Sequence, residues 1–109
     1  MSSKFAGFIF VLVFSVLSHA YTDNSEFING PVYIVYNAYV GEIDYPNLRF
    51  VNGPIYIVGN TNLKKVNFPK LTQVNGPIYV TYNYQLGPVE FPNVNFVNGP
   101  IYVYANKND

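Results

Sequence analysis

Residues 52–74 read NGPIYIVGNTNLKKVNFPKLTQV, and residues 75–97 read NGPIYVTYNYQLGPVEFPNVNFV. Both stretches open with Asn-Gly-Pro, and the same tripeptide opens two others, so that four copies follow one another every 23 residues without insertion or deletion. A sustained period of this length is typical of a solenoid in which each repeat forms one turn. The repeats are residues 29–51, 52–74 and 75–97, with a partial fourth repeat at 98–109.

The columns after each Asn-Gly-Pro predict a short strand with a defined inner face. The first column holds only Val and Ile, the second only Tyr, and the third again Val and Ile. Because side chains alternate along a strand, we expect the aliphatic columns to face the interior and the tyrosines to lie outside. The aliphatic columns are Val32/Ile55/Ile78/Ile101 and Ile34/Ile57/Val80/Val103.

Five further apolar columns complete the predicted interior of each turn. They are Val40/Leu63/Leu86, Ile43/Val66/Val89, Tyr45/Phe68/Phe91, Leu48/Leu71/Val94 and Val51/Val74/Val97. A core this thin is stable only when successive turns stack in register. The pattern therefore predicts an all-β, single-stranded β-solenoid (β-helix) of about 3.5 turns with a 23-residue repeat.

One column of the repeat is always asparagine: Asn37, Asn60, Asn83 and Asn106. Asparagine binds backbone groups in turns and tolerates left-handed conformations, and stacked asparagines can also bind each other. We interpret the column as a structural ladder and not as a ligand site. Residues 21–28 lead into the repeats, and because 21–26 match them weakly we expect either a frayed segment or a cap.

The first 20 residues have the features of a secretory signal peptide. Lys4 precedes an apolar run over 5–17, and Ser18-His19-Ala20 has the small-x-small form of a cleavage site. The run is shorter than the roughly 17–25 residues of a membrane-spanning helix. We therefore expect a secreted or extracellular protein, associated in one alternative with a cell wall or cell surface, with no membrane span after cleavage.

Composition excludes several classes of function. The chain has no Cys, and its single His lies in the predicted signal peptide, which leaves neither a Ser-His or Cys-His nucleophile pair nor an ordinary zinc site. Removal of Lys4 leaves five basic residues against six acidic ones, too few for a patch that binds nucleic acid. We predict no enzyme, no catalytic residues, no metal and no cofactor.

The tyrosine column is the candidate binding face. Turns stack about 4.8 Å apart, so Tyr33, Tyr56, Tyr79 and Tyr102 are expected to form a row on one outer surface. Tyrosine combines an apolar ring with a hydroxyl, which suits protein surfaces and sugars. Three interpretations remain open for this row: contact with a protein or another copy of the chain, contact with a glycan, and stabilisation of the sheet from outside.

The repeats resemble a known extracellular family. The pattern from Leu63 through Phe68-Pro69, Leu71, Val74, Gly76, Ile78, Val80 and Asn83 to Leu86 is similar to the receptor L domain of insulin- and EGF-type receptors. Related repeats occur in fungal GPI-anchored cell-wall proteins, and 23-residue leucine-rich repeats share part of the pattern. The resemblance implies a right-handed coil of parallel strands and a role in extracellular binding or surface architecture. It transfers no ligand-contact residue to this sequence.

Two functions follow as expectations. The first is a non-enzymatic secreted or cell-surface module for recognition or for cell-wall or matrix structure, with an extracellular protein or glycan as partner. The alternative is a structural protein that self-associates through open solenoid ends, since an uncovered last turn invites pairing. Three interpretations of the partial fourth repeat remain open: a fragment of a longer L-domain protein, an end that docks, and a sufficient terminus.

Overall fold

The computed structural model describes residues 19–107, which form a β-solenoid of about four turns with parallel sheets. Most of the predicted signal peptide lies outside the described residues. Within them the secondary structure consists of strands without a helix. The strands are β1 (His19–Thr22), β2 (Phe27–Ile28), β3 (Val32–Val35), β4 (Val40–Asp44), β5 (Phe50–Val51), β6 (Ile55–Val58), β7 (Lys65–Asn67), β8 (Gln73–Val74), β9 (Ile78–Thr81), β10 (Phe96–Val97) and β11 (Ile101–Tyr104).

Equivalent strands of successive turns pair to form three sheets. The tyrosine sheet has the order β3-β6-β9-β11, the corner sheet has the order β2-β5-β8-β10, and the third sheet has the order β1-β4-β7. In the tyrosine sheet every residue pairs with the one 23 positions along the chain, as Tyr33 does with Tyr56 and Tyr56 with Tyr79. The predicted 23-residue stacking of the repeats is thus confirmed.

The core follows the predicted inner face in the first three strands of the tyrosine sheet. Ile55, Ile57 and Ile78 are fully buried, as are the leucines of the inner columns in the middle turns. The fourth strand departs from the prediction, because Ile101 is 52% exposed and Val103 is 40% exposed. Their side chains lack the next stacked turn that covers their equivalents, since the described chain holds no turn beyond them.

The weakly matching residues 21–26 form an ordered cap at the first turn. Strand β1 pairs with β4 in parallel, and after it Asp23 and Ser25 are buried. The Ser25 N–H donates to Asp23 Oδ1 at 2.8 Å, which closes a local turn. This segment adds a partial turn before the first full repeat, which accounts for about four turns where the repeats alone predict about 3.5.

The Asn-Gly corners bring the backbones of stacked turns into direct contact. A Cβ atom at Gly76 would lie 2.8 Å from the backbone nitrogen of Pro54 and 2.9 Å from the carbonyl carbon of Gly53. Only glycine fits such a close approach of two backbones. The repeated glycine is therefore explained by packing between turns as well as by the turn itself.

The third sheet ends at β7 among the described strands because the next turn departs from the repeat. Residues 63–67 read LKKVN, whereas the equivalent residues 86–90 read LGPVE. Pro88 takes the position of Lys65, and proline has no N–H to donate to a neighbouring strand. The backbone at residues 86–90 consequently forms no strand.

Candidate functional site

The tyrosine sheet places the four predicted face residues in one row, which we call the tyrosine face. The ring centroids of Tyr33 and Tyr56 are 5.1 Å apart. The Tyr56–Tyr79 and Tyr79–Tyr102 distances are both 5.0 Å. The interplanar angle grows along the row from 22° to 30° and then 40°. Because the rings cover one another, a ligand on this face would meet ring edges and hydroxyl groups more than ring planes.

The column beside the tyrosine face differs from one turn to the next. Val35 and Tyr104 are exposed, but Thr81 is buried although it points to the same outer side. In the pairing register Thr81 lies between Val58 and Tyr104, whose side chains flank it on both sides. The outer surface is therefore better packed at the third turn than alternation alone predicts.

A second group of tyrosines continues the tyrosine face around the corner of the solenoid. We call Tyr82, Tyr84 and Tyr104 the aromatic corner. Tyr102 meets Tyr104 edge to face at 6.4 Å, Tyr104 meets Tyr82 at 5.7 Å, and Tyr82 meets Tyr84 at 6.3 Å. The proximity of Tyr82 opposes ionisation and raises the pKa of Tyr104. The three rings extend the aromatic surface from the tyrosine face onto the adjacent side of the solenoid.

The aromatic corner was not predicted, although its signal is present in the sequence. Tyr36, Gly59, Tyr82 and Ala105 occupy one column, and all four have positive φ angles of 50°, 71°, 58° and 57°. Large and small residues alternate down this column. At Gly59 a larger residue would clash, because its Cβ atom would lie 2.5 Å from the ring of Tyr36. Gly59 therefore leaves room for the ring of Tyr36 in the preceding turn. Because large and small residues alternate from one turn to the next, this arrangement repeats every two turns and not every turn.

The asparagine column forms a hydrogen-bonded ladder in the interior. Asn83 Oδ1 accepts the backbone N–H and the side-chain amide of Asn60, and Asn106 Oδ1 accepts the same two groups of Asn83. Each side-chain amide also donates to a strand of the preceding turn, as Asn60 does to the Ile34 carbonyl at 2.8 Å. No buried side-chain polar atom of the described residues lacks a partner.

Asn37, the first member of this ladder, makes a different set of hydrogen bonds. The Asn37 N–H donates to Asn60 Oδ1 at 2.9 Å, which continues the ladder. Its own Oδ1, however, accepts the backbone N–H groups of Tyr39 and Val40. At the first turn the side-chain oxygen of the asparagine thus accepts hydrogen bonds from two backbone N–H groups of a local turn.

A second asparagine ladder lies on the exposed side of the Asn-Gly corners. Asn52 Nδ2 donates to Asn29 Oδ1 at 2.9 Å, Asn75 to Asn52 at 2.8 Å, and Asn98 to Asn75 at 3.0 Å. Here the later turn donates to the earlier one, opposite to the direction of the interior ladder. The sequence signal for this ladder is the invariant Asn that opens each Asn-Gly-Pro at a 23-residue spacing.

Two tyrosines at the contact between the cap and the first full turn have raised pKa values. The Tyr21 hydroxyl donates to Asp23 Oδ2 at 3.4 Å, and the Tyr21 ring is tilted by 60° to that of Tyr45, with centroids 6.2 Å apart. Burial, together with the charge of Asp23 and this hydrogen bond, raises the pKa of Tyr21 to about 12. Burial also raises the pKa of Tyr45 well above its usual value. Both tyrosines are neutral at physiological pH and serve as packing groups.

Residues 19–107 contain no group of three or more His, Asp or Glu side chains arranged to hold a metal ion. In the same part of the chain no helix is long and apolar enough to cross a membrane. The surface described above consists of tyrosines, asparagines and the backbone edges of strands.

Comparisons of the chain with protein-family models, with curated proteins and with solved structures gave no match. The resemblance to the receptor L domain therefore stays a prediction from the repeat pattern.

Proposed function

We propose that this protein is a non-enzymatic, secreted or cell-surface recognition module of L-domain-like repeats that binds an extracellular protein or glycan through the tyrosine face. The observation that carries the proposal is the continuous row of four tyrosines with ring centroids 5.0–5.1 Å apart. A parallel sheet with a packed interior holds the row rigidly. A rigid row of aromatic rings lowers the entropy cost of ordering side chains on binding.

The chemistry of the row favours a ligand that offers hydrogen-bond donors and acceptors at regular intervals. Ring edges carry partial positive charge, and the hydroxyls both donate and accept hydrogen bonds. An extended peptide or an oligosaccharide presents such groups along its length. The serine of the described residues, Ser25, is 2% exposed in the cap, which supports a binding role over hydrolysis by a serine nucleophile.

The test is a binding screen of extracellular glycans and receptor ectodomains against the secreted full chain. Tyr56→Ser and Tyr79→Ser remove the centre of the row and are expected to weaken a true ligand at least about tenfold, because central aromatic residues dominate interfaces. Tyr39→Ser is the control, because Tyr39 is exposed and does not belong to the tyrosine face. Binding that all three variants retain equally would argue against the tyrosine face.

A specific observation favours self-association as the second candidate. Ile101 and Val103 expose 52% and 40% of their surface, whereas Ile78 and Val80 in the same columns are fully buried. Another stacked strand would bury both side chains and pair with the outer edge of β11. In this alternative the fourth turn contacts a second copy of the chain.

Light scattering coupled to size-exclusion chromatography tests the second candidate over a range of concentrations. We expect Ile101→Lys to shift any oligomer to monomer, because a charge at the contact is costly to bury. Val35→Lys is the matched control, as Val35 is similarly exposed on the outer side of β3. A wild-type chain that stays monomeric at all concentrations would rule out this candidate and leave the first intact.

A further inference from the structure

The interruption of the third sheet opens a pocket between the second and fourth turns. Gly87 takes the position of Lys64 and Pro88 that of Lys65, so this turn loses both a side chain and a backbone donor. A Cβ atom built on Gly87 would meet nothing within 4 Å. The resulting pocket has a volume of about 350 Å³, near the lower end of the usual range for small-molecule sites.

Three turns contribute to the pocket, and backbone hydrogen bonds hold them together. The Gly87 N–H donates to the Lys64 carbonyl at 3.4 Å, and the Lys107 N–H donates to the Leu86 carbonyl at 2.9 Å. The lining consists of Lys64, Tyr84, Gln85, Gly87, Pro88 and Lys107. The two lysines thus come from opposite sides of the pocket along the solenoid axis.

The charge of the pocket is positive. Among the described residues that line it, the charged groups are Lys64 and Lys107, without a carboxylate. Glu90 lies with Lys65 in a separate cavity of about 180 Å³ that shares Pro88. A carboxylate or sulfate placed between two ammonium groups accepts charge-assisted hydrogen bonds, which are roughly twice as strong as neutral ones.

The aromatic and amide side chains of the pocket further restrict which ligands it can bind. Tyr84 is 61% exposed, whereas the rings of the tyrosine face cover one another, so more of the plane of the Tyr84 ring is open to a ligand. A pyranose ring has an apolar face that can pack on such a plane, and its hydroxyls match the donors and acceptors of Gln85. An anionic group on a sugar ring satisfies the lysines, the tyrosine and the glutamine together.

We infer that this pocket binds an acidic sugar unit, a uronic acid or a sulfated hexose, of an extracellular glycan. The inference rests on the proposed recognition function and gives it a ligand class. The aromatic corner connects the pocket to the tyrosine face through Tyr104 and Tyr82, so one chain of sugars could run from the row of tyrosines into the pocket. The pocket then selects acidic over neutral glycans.

The experiment measures the binding of a glucuronate-containing disaccharide and of its carboxyl-reduced neutral counterpart to the secreted full chain by NMR titration. We expect the acidic sugar to bind about tenfold more tightly, with the largest shifts at the amides of Gln85 and Gly87. Lys64→Gln and Lys107→Gln are each expected to weaken it about threefold, as for exposed charge pairs, and the double variant to abolish the preference. Lys70→Gln is the control, because Lys70 is exposed and does not line the pocket.

Two further measurements distinguish a site for an acidic sugar from a site that binds any anion. Tyr84→Leu should weaken the acidic disaccharide severalfold, and a titration with sulfate ion alone should show much weaker binding. Equal affinity for both disaccharides, equal effects of Lys64→Gln and Lys70→Gln, or sulfate binding as strong as that of the sugar would overturn the inference. A ligand whose binding depends on Tyr56 but shows no acidic preference would overturn it while supporting the proposed function.

Discussion

Asn83 Oδ1 accepts two hydrogen bonds from Asn60, one turn earlier: the backbone N–H at 2.9 Å and the side-chain amide at 3.0 Å. The amide of Asn60 also reaches the Ile34 carbonyl at 2.8 Å, and its Oδ1 accepts the Asn37 N–H at 2.9 Å. The Asn60 side chain thus bonds two backbone groups of the preceding turn and is joined to the next turn through the side-chain oxygen of Asn83. The ladder holds the turns in register where the strands of the tyrosine sheet end.

Asn60→Ala should lower the free energy of unfolding by about 3 kcal/mol, because it leaves buried backbone donors and acceptors without partners. Asn52→Ala removes an exposed asparagine that also bonds between turns and should cost about 1 kcal/mol or less. Urea denaturation of both variants checks the difference. Equal losses would show that the interior ladder contributes no more than the exposed one.

Gly76→Ala should destabilise the protein by about 2 kcal/mol or more, because its Cβ would overlap the backbone of Gly53 and Pro54 and the stacked turns would have to separate. Gly87→Ala offers a matched control with open space around the new atom. That variant should range from no change to about 1 kcal/mol of stabilisation, since alanine restricts the unfolded chain. Thermal melts that ranked the two variants in the opposite order would contradict the close-contact explanation.

Val80→Ala and Val103→Ala compare the same column one turn apart. Val80 is fully buried and its loss of two methyl groups should cost about 2 kcal/mol, with a contribution from the cavity left behind. Val103 is 40% exposed, so its truncation should cost about 1 kcal/mol or less. Equal costs measured by denaturation at low protein concentration would indicate that the fourth turn is covered in solution.

The stability of the cap should fall above pH 10. The folded-state pKa of Tyr21 is raised to about 12, so its contribution to stability is fully present below pH 10 and is lost as the pH rises through 12. Tyr45, whose pKa is also raised, acts in the same direction. A fully buried tyrosine lowers the free energy of unfolding by up to about 1.4 kcal/mol per pH unit in this range, and half-buried Tyr21 contributes less because water screens its charge.

Tyr45→Phe provides the control for this pH dependence. Phenylalanine occupies the same column in the next two turns, and Tyr45 already stacks on Phe68 with ring centroids 5.0 Å apart. We expect the variant to fold and to show a shallower loss of stability between pH 10 and 12 in urea titrations. An unchanged slope would mean that Tyr45 does not contribute to the alkaline transition.

Much of the fold could be predicted from the sequence because the repeat is short and regular. The alternation of Ile55, Tyr56 and Ile57 defines an inner and an outer side, and the 23-residue period assigns each residue its neighbour in the next turn. Those two facts are enough to predict parallel stacking, the tyrosine row and the asparagine ladder. Departures from the repeat, such as residues 21–26, carried too little pattern to choose between a frayed segment and a cap.

The sequence by itself determined the period, the direction of the strand side chains and the columns that stack, because each depends only on residues a fixed distance apart in the chain. The tertiary structure decided how far each column is covered. Ile78 and Ile101 are the same residue in the same column, yet one is fully buried and the other is 52% exposed. The pocket beside Gly87 and Pro88 likewise forms because the preceding and following turns flank an interrupted one. Burial and cavities depend on the turns above and below a residue, and no local pattern contains that information.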